Sequence, residues 1–157
     1  MRSIGRAEVT STRGADTAWQ SAFDFIMTQM SGPDGRLAHA WRLDRIAAAG
    51  LLDDQAAMAR AALSLFEATG APDRLAQART LVAAAETWFA DADSSYFTTA
   101  SDAADVPFGP AARPRVAADN ATPSANGLMA EVLARLHHLT GEPAWRARAE
   151  AVLTAFG

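Results

Sequence analysis

The sequence predicts an all-α protein made of helical hairpins, and three observations support that class. Alanine and leucine dominate a chain of 157 residues, half of which are hydrophobic. The apolar residues recur at spacings of three and four, the period of a helix, and alternating runs of β-branched residues are nearly absent. A helix-ending turn also occurs twice, as Thr69-Gly70-Ala71-Pro72 and as Thr140-Gly141-Glu142-Pro143. We therefore expect pairs of helices joined by tight turns.

The first predicted helix runs from about Asp16 to Met30. Trp19 and Phe23 fall on one face of this helix with further apolar residues at helical spacing. The stretch Ser31-Gly32-Pro33 then ends it, because glycine and proline interrupt helices. Residues 1–15 carry no such pattern and are expected to be a loose amino-terminal lead-in.

The second and third helices are expected to form a complete hairpin. The second runs from about Asp53 to Thr69, where Gly70 suits the left-handed residue that ends many helices. The third begins at Pro72, because proline suits the first turn of a helix, and ends near Asp91. The hairpin thus has an inner helix, a tight turn and an outer helix.

The fourth and fifth helices repeat that hairpin. Thr122 is predicted as the N-cap of the fourth, with Pro123 at its first helical position, and Thr140-Gly141 ends it. The fifth follows from about Pro143 to Phe156. Because the chain has three outer helices and only two inner ones, we expect residues 1–157 to be a single domain and part of a larger α/α array.

Two long connections, 31–52 and 90–122, are predicted at one end of this array. Loops longer than about 12–15 residues are commonly functional. These two lie where the inner helices have their amino termini, whose free N–H groups suit a hydroxylated or anionic ligand. Short extended segments are expected at Arg36–Arg42 and Tyr96–Thr99.

Composition excludes several kinds of chemistry. All 14 basic residues are arginines, which excludes Schiff-base and P-loop lysine chemistry, and the absence of cysteine excludes thiolate nucleophiles and iron–sulfur clusters. A net charge of -4 argues against nucleic acid as a partner, and no segment is apolar enough to span a membrane. We expect a cytoplasmic protein without cofactor or metal.

Several motifs follow one another in a characteristic order. They are Leu37-x-His39-x-Trp41-Arg42, Gly50-Leu51-Leu52-Asp53-Asp54-x-Ala56, Leu65-Phe66-Glu67-Ala68-Thr69-Gly70, Arg113-Pro114-Arg115 and Asp119-x-Ala121-x-Pro123-Ser124-x-Asn126. In this order they resemble the helical domain of the thioredoxin-domain-containing, spermatogenesis-associated protein family. The last motif is the most specific of them.

The resemblance implies an (α/α)6 toroid similar to six-hairpin glycosidases and N-acylglucosamine 2-epimerases. It implies a carbohydrate-type ligand as well, with an epimerase-like or glycosidase-like reaction if the chain is an enzyme. The chain departs from the family's pattern around the expected site, at Gln55, Arg115, Ala118, Asn120, Ala125 and Gly127.

The first connection supplies the candidate catalytic residues. Asp53 and Asp54 are interpreted as an acid–base pair or as ordinary residues of a helix start. His39 is the best-placed general base, although a lone histidine also tethers loops. Trp41 is a candidate for stacking on a sugar ring, and Arg42 for holding an anionic group.

The second connection supplies further candidate ligand-binding residues, each with a structural alternative. The ring of Tyr96 is a second candidate for stacking on a sugar. Arg113 and Arg115 either hold a carboxylate or phosphate, or form ion pairs within the protein. The aspartates expected for such pairs are Asp53, Asp54 and Asp119. Three residues of the last motif either bond ligand hydroxyls or satisfy free backbone donors. They are Asp119, Ser124 and Asn126.

Two functions remain open at this level. One is a site for a sugar or sugar derivative at the amino-terminal ends of the inner helices. The other is a non-enzymatic helical interaction module, or an inactive remnant, that assembles with itself or with another chain. A homo-oligomer is one of the two assemblies that the second function allows.

Overall fold

The computed structural model describes the backbone of residues 8–103 and 112–157, and the side chains of 18–103 and 112–157. Within these residues five helices and one two-stranded sheet form. The helices are α1 Glu8–Gln29, α2 Leu52–Thr69, α3 Pro72–Trp88, α4 Ala125–Thr140 and α5 Pro143–Thr154. The predicted predominance of helix is therefore confirmed.

The boundaries of two helices differ from the prediction. Helix α1 begins at Glu8, so residues 8–15 belong to it and not to a lead-in. Gly14 does not stop the helix, because one interior glycine costs only about 1 kcal/mol. The N-cap of α4 is Ser124, whose Oγ accepts from the Gly127 N–H at 3.1 Å, so Thr122 and Pro123 precede the helix.

The expected extended segments are correct at one of the two places. Strand β1, Ala38–Arg42, pairs antiparallel with β2, Arg45–Ala49, through a two-residue turn at Leu43-Asp44. Both turn residues have positive φ, as a tight hairpin turn of this kind requires. Residues 96–99 form no strand, and Tyr96 makes only a single bridge to Ala90.

The repeated Thr-Gly turn is confirmed down to its hydrogen bonds. Gly70 and Gly141 have φ of 70° and 73°, and each N–H bonds back to the last turn of the preceding helix. The hydroxyls of Thr69 and Thr140 accept from the N–H two residues on. Identical turns thus join α2 to α3 and α4 to α5.

The core lies among the two hairpins. Helix α2 packs on α3, α4 packs on α5, and the inner helices α2 and α4 pack on each other. Arg60 bonds Glu131 at 3.0 Å, and seven residues further along α2 Glu67 bonds Arg135, which lies further along α4, at 2.9 Å. Because the residue numbers of the paired positions rise in both helices, the inner helices are parallel. Helix α1 makes a smaller contact with α2. None of the described helices is both long and apolar enough to cross a membrane.

Candidate functional site

The two long connections meet at the amino-terminal end of the inner helices, as predicted. The N–H of Leu52, the first residue of α2, donates to the carbonyl of Thr98 at 3.0 Å. Across the same region Arg36 bonds Asp102 at 2.6 Å. These contacts hold the first connection against the second, so their side chains share one end of the molecule.

His39 and Asp54 form a pair at this end. Nδ1 of His39, on β1, lies 3.0 Å from Oδ2 and 3.1 Å from Oδ1 of Asp54, in the first turn of α2. The same Asp54 carboxylate accepts from the Leu51 N–H at 2.8 Å, which fixes its orientation. The imidazole is half exposed, whereas the carboxylate is mostly covered. This pair is the part of the predicted catalytic set that the structure brings together.

The other candidates of the first connection make no hydrogen bond or ion pair with His39 or Asp54. Asp53 is exposed, and its carboxylate has no hydrogen-bond or ion-pair partner among the described residues. The half-buried Trp41 ring meets Phe25 edge to face, with ring centres 6.3 Å apart. Arg42 is exposed opposite Arg45 at the hairpin turn. The guanidinium of Arg42 therefore has no carboxylate of the described protein to neutralise it.

Tyr96 is a component of the core and does not present its ring to a ligand. The ring is fully buried, its hydroxyl bonds Glu86, and the Arg148 guanidinium lies 4.6 Å above it. Burial, reinforced by the neighbouring Glu86 carboxylate, raises the pKa of Tyr96 far above its ordinary value of 10.0. The sequence prediction of a sugar-stacking tyrosine is therefore wrong, because an aromatic ring in this alanine-rich core supplies packing volume.

The specific motif of the second connection holds the start of α4. Asn126 is buried and accepts from the Tyr96 N–H at 2.9 Å, while its amide donates to the carbonyls of Tyr96 and Val116, both at 3.0 Å. Ser124 caps the helix, and Asp119 accepts from the Ser124 N–H at 2.9 Å. All three residues follow the structural alternative, since their polar atoms satisfy backbone groups.

The two arginines of the second connection are also engaged by the protein. Arg113 donates to the carbonyls of Thr99 and Trp88 and stacks over Phe97, and burial lowers its pKa. Arg115 pairs with two aspartates of the same connection, Asp91 and Asp93. These carboxylates differ from the ones expected, because Asp53, Asp54 and Asp119 lie elsewhere.

Gln55 is a structural residue that the sequence interpretation missed. It is fully buried in α2, and its Oε1 accepts from the Leu37 N–H at 2.9 Å. Its amide donates to the carbonyls of Gly35 and Leu81, each at 3.2 Å. Gln55 thereby fixes the first connection as Asn126 fixes the second. The available signal was a polar residue on the buried face of an otherwise apolar helix.

A cavity of about 760 Å³ lies between the two connections. Arg36, Thr99 and Asp102 are among its lining residues, and none of the predicted site residues is. In the described part of the chain no three histidine, aspartate or glutamate side chains are placed to hold a metal ion. The polar pair and the cavity are therefore separate features of this end.

No protein-family profile matches the chain. The chain is 31% identical to human spermatogenesis-associated protein 20 in an alignment of 156 residues. The alignment takes in 93% of this chain and 18% of the human protein. The chain is thus similar, over nearly all its length, to about a fifth of that relative.

Proposed function

We propose that this chain is a helical-hairpin segment of the spermatogenesis-associated protein type, forming an arc of an α/α toroid, and that it binds a carbohydrate-type ligand beside His39 and Asp54. The observation that carries this proposal is the contact between the His39 imidazole and a carboxylate that is itself held by the helix start. The similarity to human spermatogenesis-associated protein 20 and the parallel inner helices support the toroid. We also keep the proposal of a cytoplasmic location, which rests on the absence of cysteine.

The chemistry of the pair suits a hydroxylated ligand. With the Asp54 carboxylate accepting from Nδ1–H, the neutral imidazole of His39 has Nε2 left as an acceptor. A sugar hydroxyl is a donor that can reach such an atom from solvent, and the imidazole is half exposed. Asp53 and Arg42, whose charged groups have no partner among the described residues, supply an additional acceptor and donors nearby in the sequence.

If the chain converts its ligand enzymatically, we propose that His39 transfers a proton in that reaction. A glycosidase needs two carboxyl groups facing each other across the scissile bond. Here Asp54 is committed to His39 and to the Leu51 N–H, while Asp53 is exposed and bonds to neither of them. A single imidazole oriented by a carboxylate is instead the arrangement of a general base, which favours an epimerase-like reaction.

Calorimetric titration tests the binding proposal. N-acetylglucosamine and glucose 6-phosphate are the probes, one neutral and one anionic. We expect saturable binding of at least one, weakened about tenfold or more by His39→Gln and by Asp54→Asn. His138→Gln, an exposed histidine near the far end of α4, is the matched control and should bind normally. The proposal would be overturned if neither probe bound to the chain. It would also be overturned if all the variants bound the probes as tightly as the unchanged chain.

A further inference from the structure

The cavity between the two connections is a second binding feature of this end, apart from the His39–Asp54 pair. Its volume of about 760 Å³ falls within the range of roughly 300–1,000 Å³ that small-molecule sites span. Ala38 of β1 lines the cavity, whereas His39, the next residue, contacts Asp54. Most of the lining residues are apolar, among them Met30, Pro33, Leu37, Ile46, Leu51 and Ala100. Such walls offer few partners for the hydroxyl groups of a sugar, so they suit a different, mostly apolar ligand.

Three large apolar residues at the cavity are still accessible to solvent. Met30 follows α1, Ile46 belongs to β2 and Leu51 precedes α2, so they converge from three segments of the chain. Ile46 is 55% exposed, and the other two are partly exposed. A ligand between them would remove apolar surface from water, which favours binding.

Arg36 is a cation of the lining whose position is fixed by its neighbours. Its Nη1 donates to Oδ1 of Asp102 at 2.6 Å, and the guanidinium lies 4.3 Å from the centre of the Trp88 ring. A guanidinium carries five N–H donors, and the bond to Asp102 is the one hydrogen bond that this guanidinium makes with the described residues. Arg36 therefore retains donors that an acceptor group of a ligand can use.

The charges at the cavity favour a neutral ligand. Among the described lining residues, the carboxylates of Asp34 and Asp102 outnumber the guanidinium of Arg36, and this excess of negative charge disfavours an anion. Both carboxylates lie beside Arg36, at 3.7 Å and 2.6 Å, so a cation that reached them would also face the guanidinium. A carbonyl oxygen accepts from N–H donors without adding a charge.

We propose that this cavity binds a neutral, mostly apolar small molecule whose carbonyl oxygen accepts a hydrogen bond from the Arg36 guanidinium. The hydrocarbon part of the ligand packs on Met30, Ile46 and Leu51. This site is separate from the ligand site at His39 and Asp54, and neither proposal depends on the other.

Amide chemical-shift titration of the whole chain measures both affinity and location. The probe is 2-acetylnaphthalene, a flat apolar ketone, and its matched charged analogues are 2-naphthoate and 2-naphthylmethylamine. We expect saturable shifts around the cavity with the ketone, and binding at least about tenfold weaker for both analogues. Ala49→Phe, at an exposed lining position of β2, should weaken ketone binding about tenfold or more by filling the cavity. Ala47→Phe, exposed on the same strand and outside this lining, is the matched control and should bind normally.

A second comparison isolates the hydrogen bond from Arg36. Arg36→Lys keeps the positive charge beside Asp102 but removes the planar fork of donors. We expect this variant to bind 2-acetylnaphthalene about threefold or more weakly and to bind naphthalene, which has no oxygen, as the unchanged chain does. Normal binding of naphthalene would also show that the variant retains the cavity.

The proposal would be overturned if 2-acetylnaphthalene did not bind, if its shifts lay outside the cavity, or if Ala49→Phe bound it normally. A charged analogue that bound as tightly as the ketone would overturn the neutral ligand class. Equal weakening of 2-acetylnaphthalene and naphthalene by Arg36→Lys would overturn the hydrogen bond to the carbonyl oxygen.

Discussion

At the scale of single residues, buried carboxamides hold the two connections in place. The side-chain oxygens of Gln55 and Asn126 accept a hydrogen bond from the N–H of Leu37 and of Tyr96, respectively, and both of these residues form isolated β-bridges. Each carboxamide also donates to two backbone carbonyls. A sequence pattern cannot separate this role from ligand binding, because the same amide would serve either. Only the identity of the bonded atoms decides, and here those atoms belong to the backbone.

Truncating either carboxamide should destabilise the protein strongly. Gln55→Ala or Asn126→Ala removes three hydrogen bonds to backbone groups, among them the bond from the N–H of the buried Leu37 or Tyr96. We therefore expect a loss of about 2–4 kcal/mol in the free energy of unfolding. Asn120→Ala, at an exposed position, is the control and should change it by less than about 0.5 kcal/mol. Urea unfolding gives these values, and a near-neutral Asn126→Ala with lost sugar binding would show that its role is functional instead.

The alkaline behaviour of Tyr96 follows from its burial beside Glu86. Because the pKa of Tyr96 is raised above 10.0, the folded state retains the phenolic proton that the unfolded state releases. The contribution of the buried, protonated Tyr96 to the free energy of unfolding is therefore complete below pH 10.0, and it is lost as the pH rises above that value. Tyr96 is the single tyrosine of the chain, so tyrosinate absorbance reports this one group.

We expect tyrosinate to form only when the helical circular dichroism is lost, at a pH above the ordinary tyrosine range. A spectrophotometric pH titration followed at both signals measures this. Tyr96→Phe should abolish the absorbance step and serves as the control. Ionisation centred near pH 10 with the helices intact would contradict the buried environment of the ring.

At the scale of elements, the structure contains two repeats, and only one was predicted from the sequence. The Thr-Gly turns have the same amino-acid sequence at their first two positions, so the repeat could be recognised from the sequence. The turns at 31–37 and 90–96 share backbone geometry instead: Gly35 and Ser94 both have positive φ, and an aspartate precedes each. Strand β2 was missed for a related reason, because its run of alanines has little β-propensity.

Alanine substitutions at three glycines distinguish the cost of a strained backbone conformation from the cost of a steric clash. A Cβ at Gly70 or Gly141 meets nothing within 4 Å, so alanine there should cost only about 1 kcal/mol through its positive φ. A Cβ at Gly50 would lie 2.0 Å from the Leu37 carbonyl oxygen, and we expect Gly50→Ala to cost at least about 3 kcal/mol. Thermal or urea unfolding of the three variants compares them, and equal losses would show that the first connection does not pack against Gly50 as described.

At the scale of the whole molecule, the polar residues of one end divide into two groups with different roles. Those of the second connection hold the fold. In the first connection the side chains of His39, Asp53 and Arg42 are exposed to solvent, and the mostly covered Asp54 orients His39. The helical class and the hairpin repeat were predictable because they depend on local periodicity and turn residues. The division of the polar residues into two groups was not predictable from the sequence, because it depends on which backbone atoms long-range packing brings to each side chain.

Amide chemical-shift mapping during a titration with N-acetylglucosamine tests this division most directly. We predict that the shifts concentrate around the amino terminus of α2 and β1, at His39, Asp53 and Asp54, while Asn126 and its partners stay unchanged. Shifts confined to the cavity around Arg36 and Thr99, or to the start of α4, would contradict the central claim that the His39–Asp54 pair is the ligand-facing part of this end.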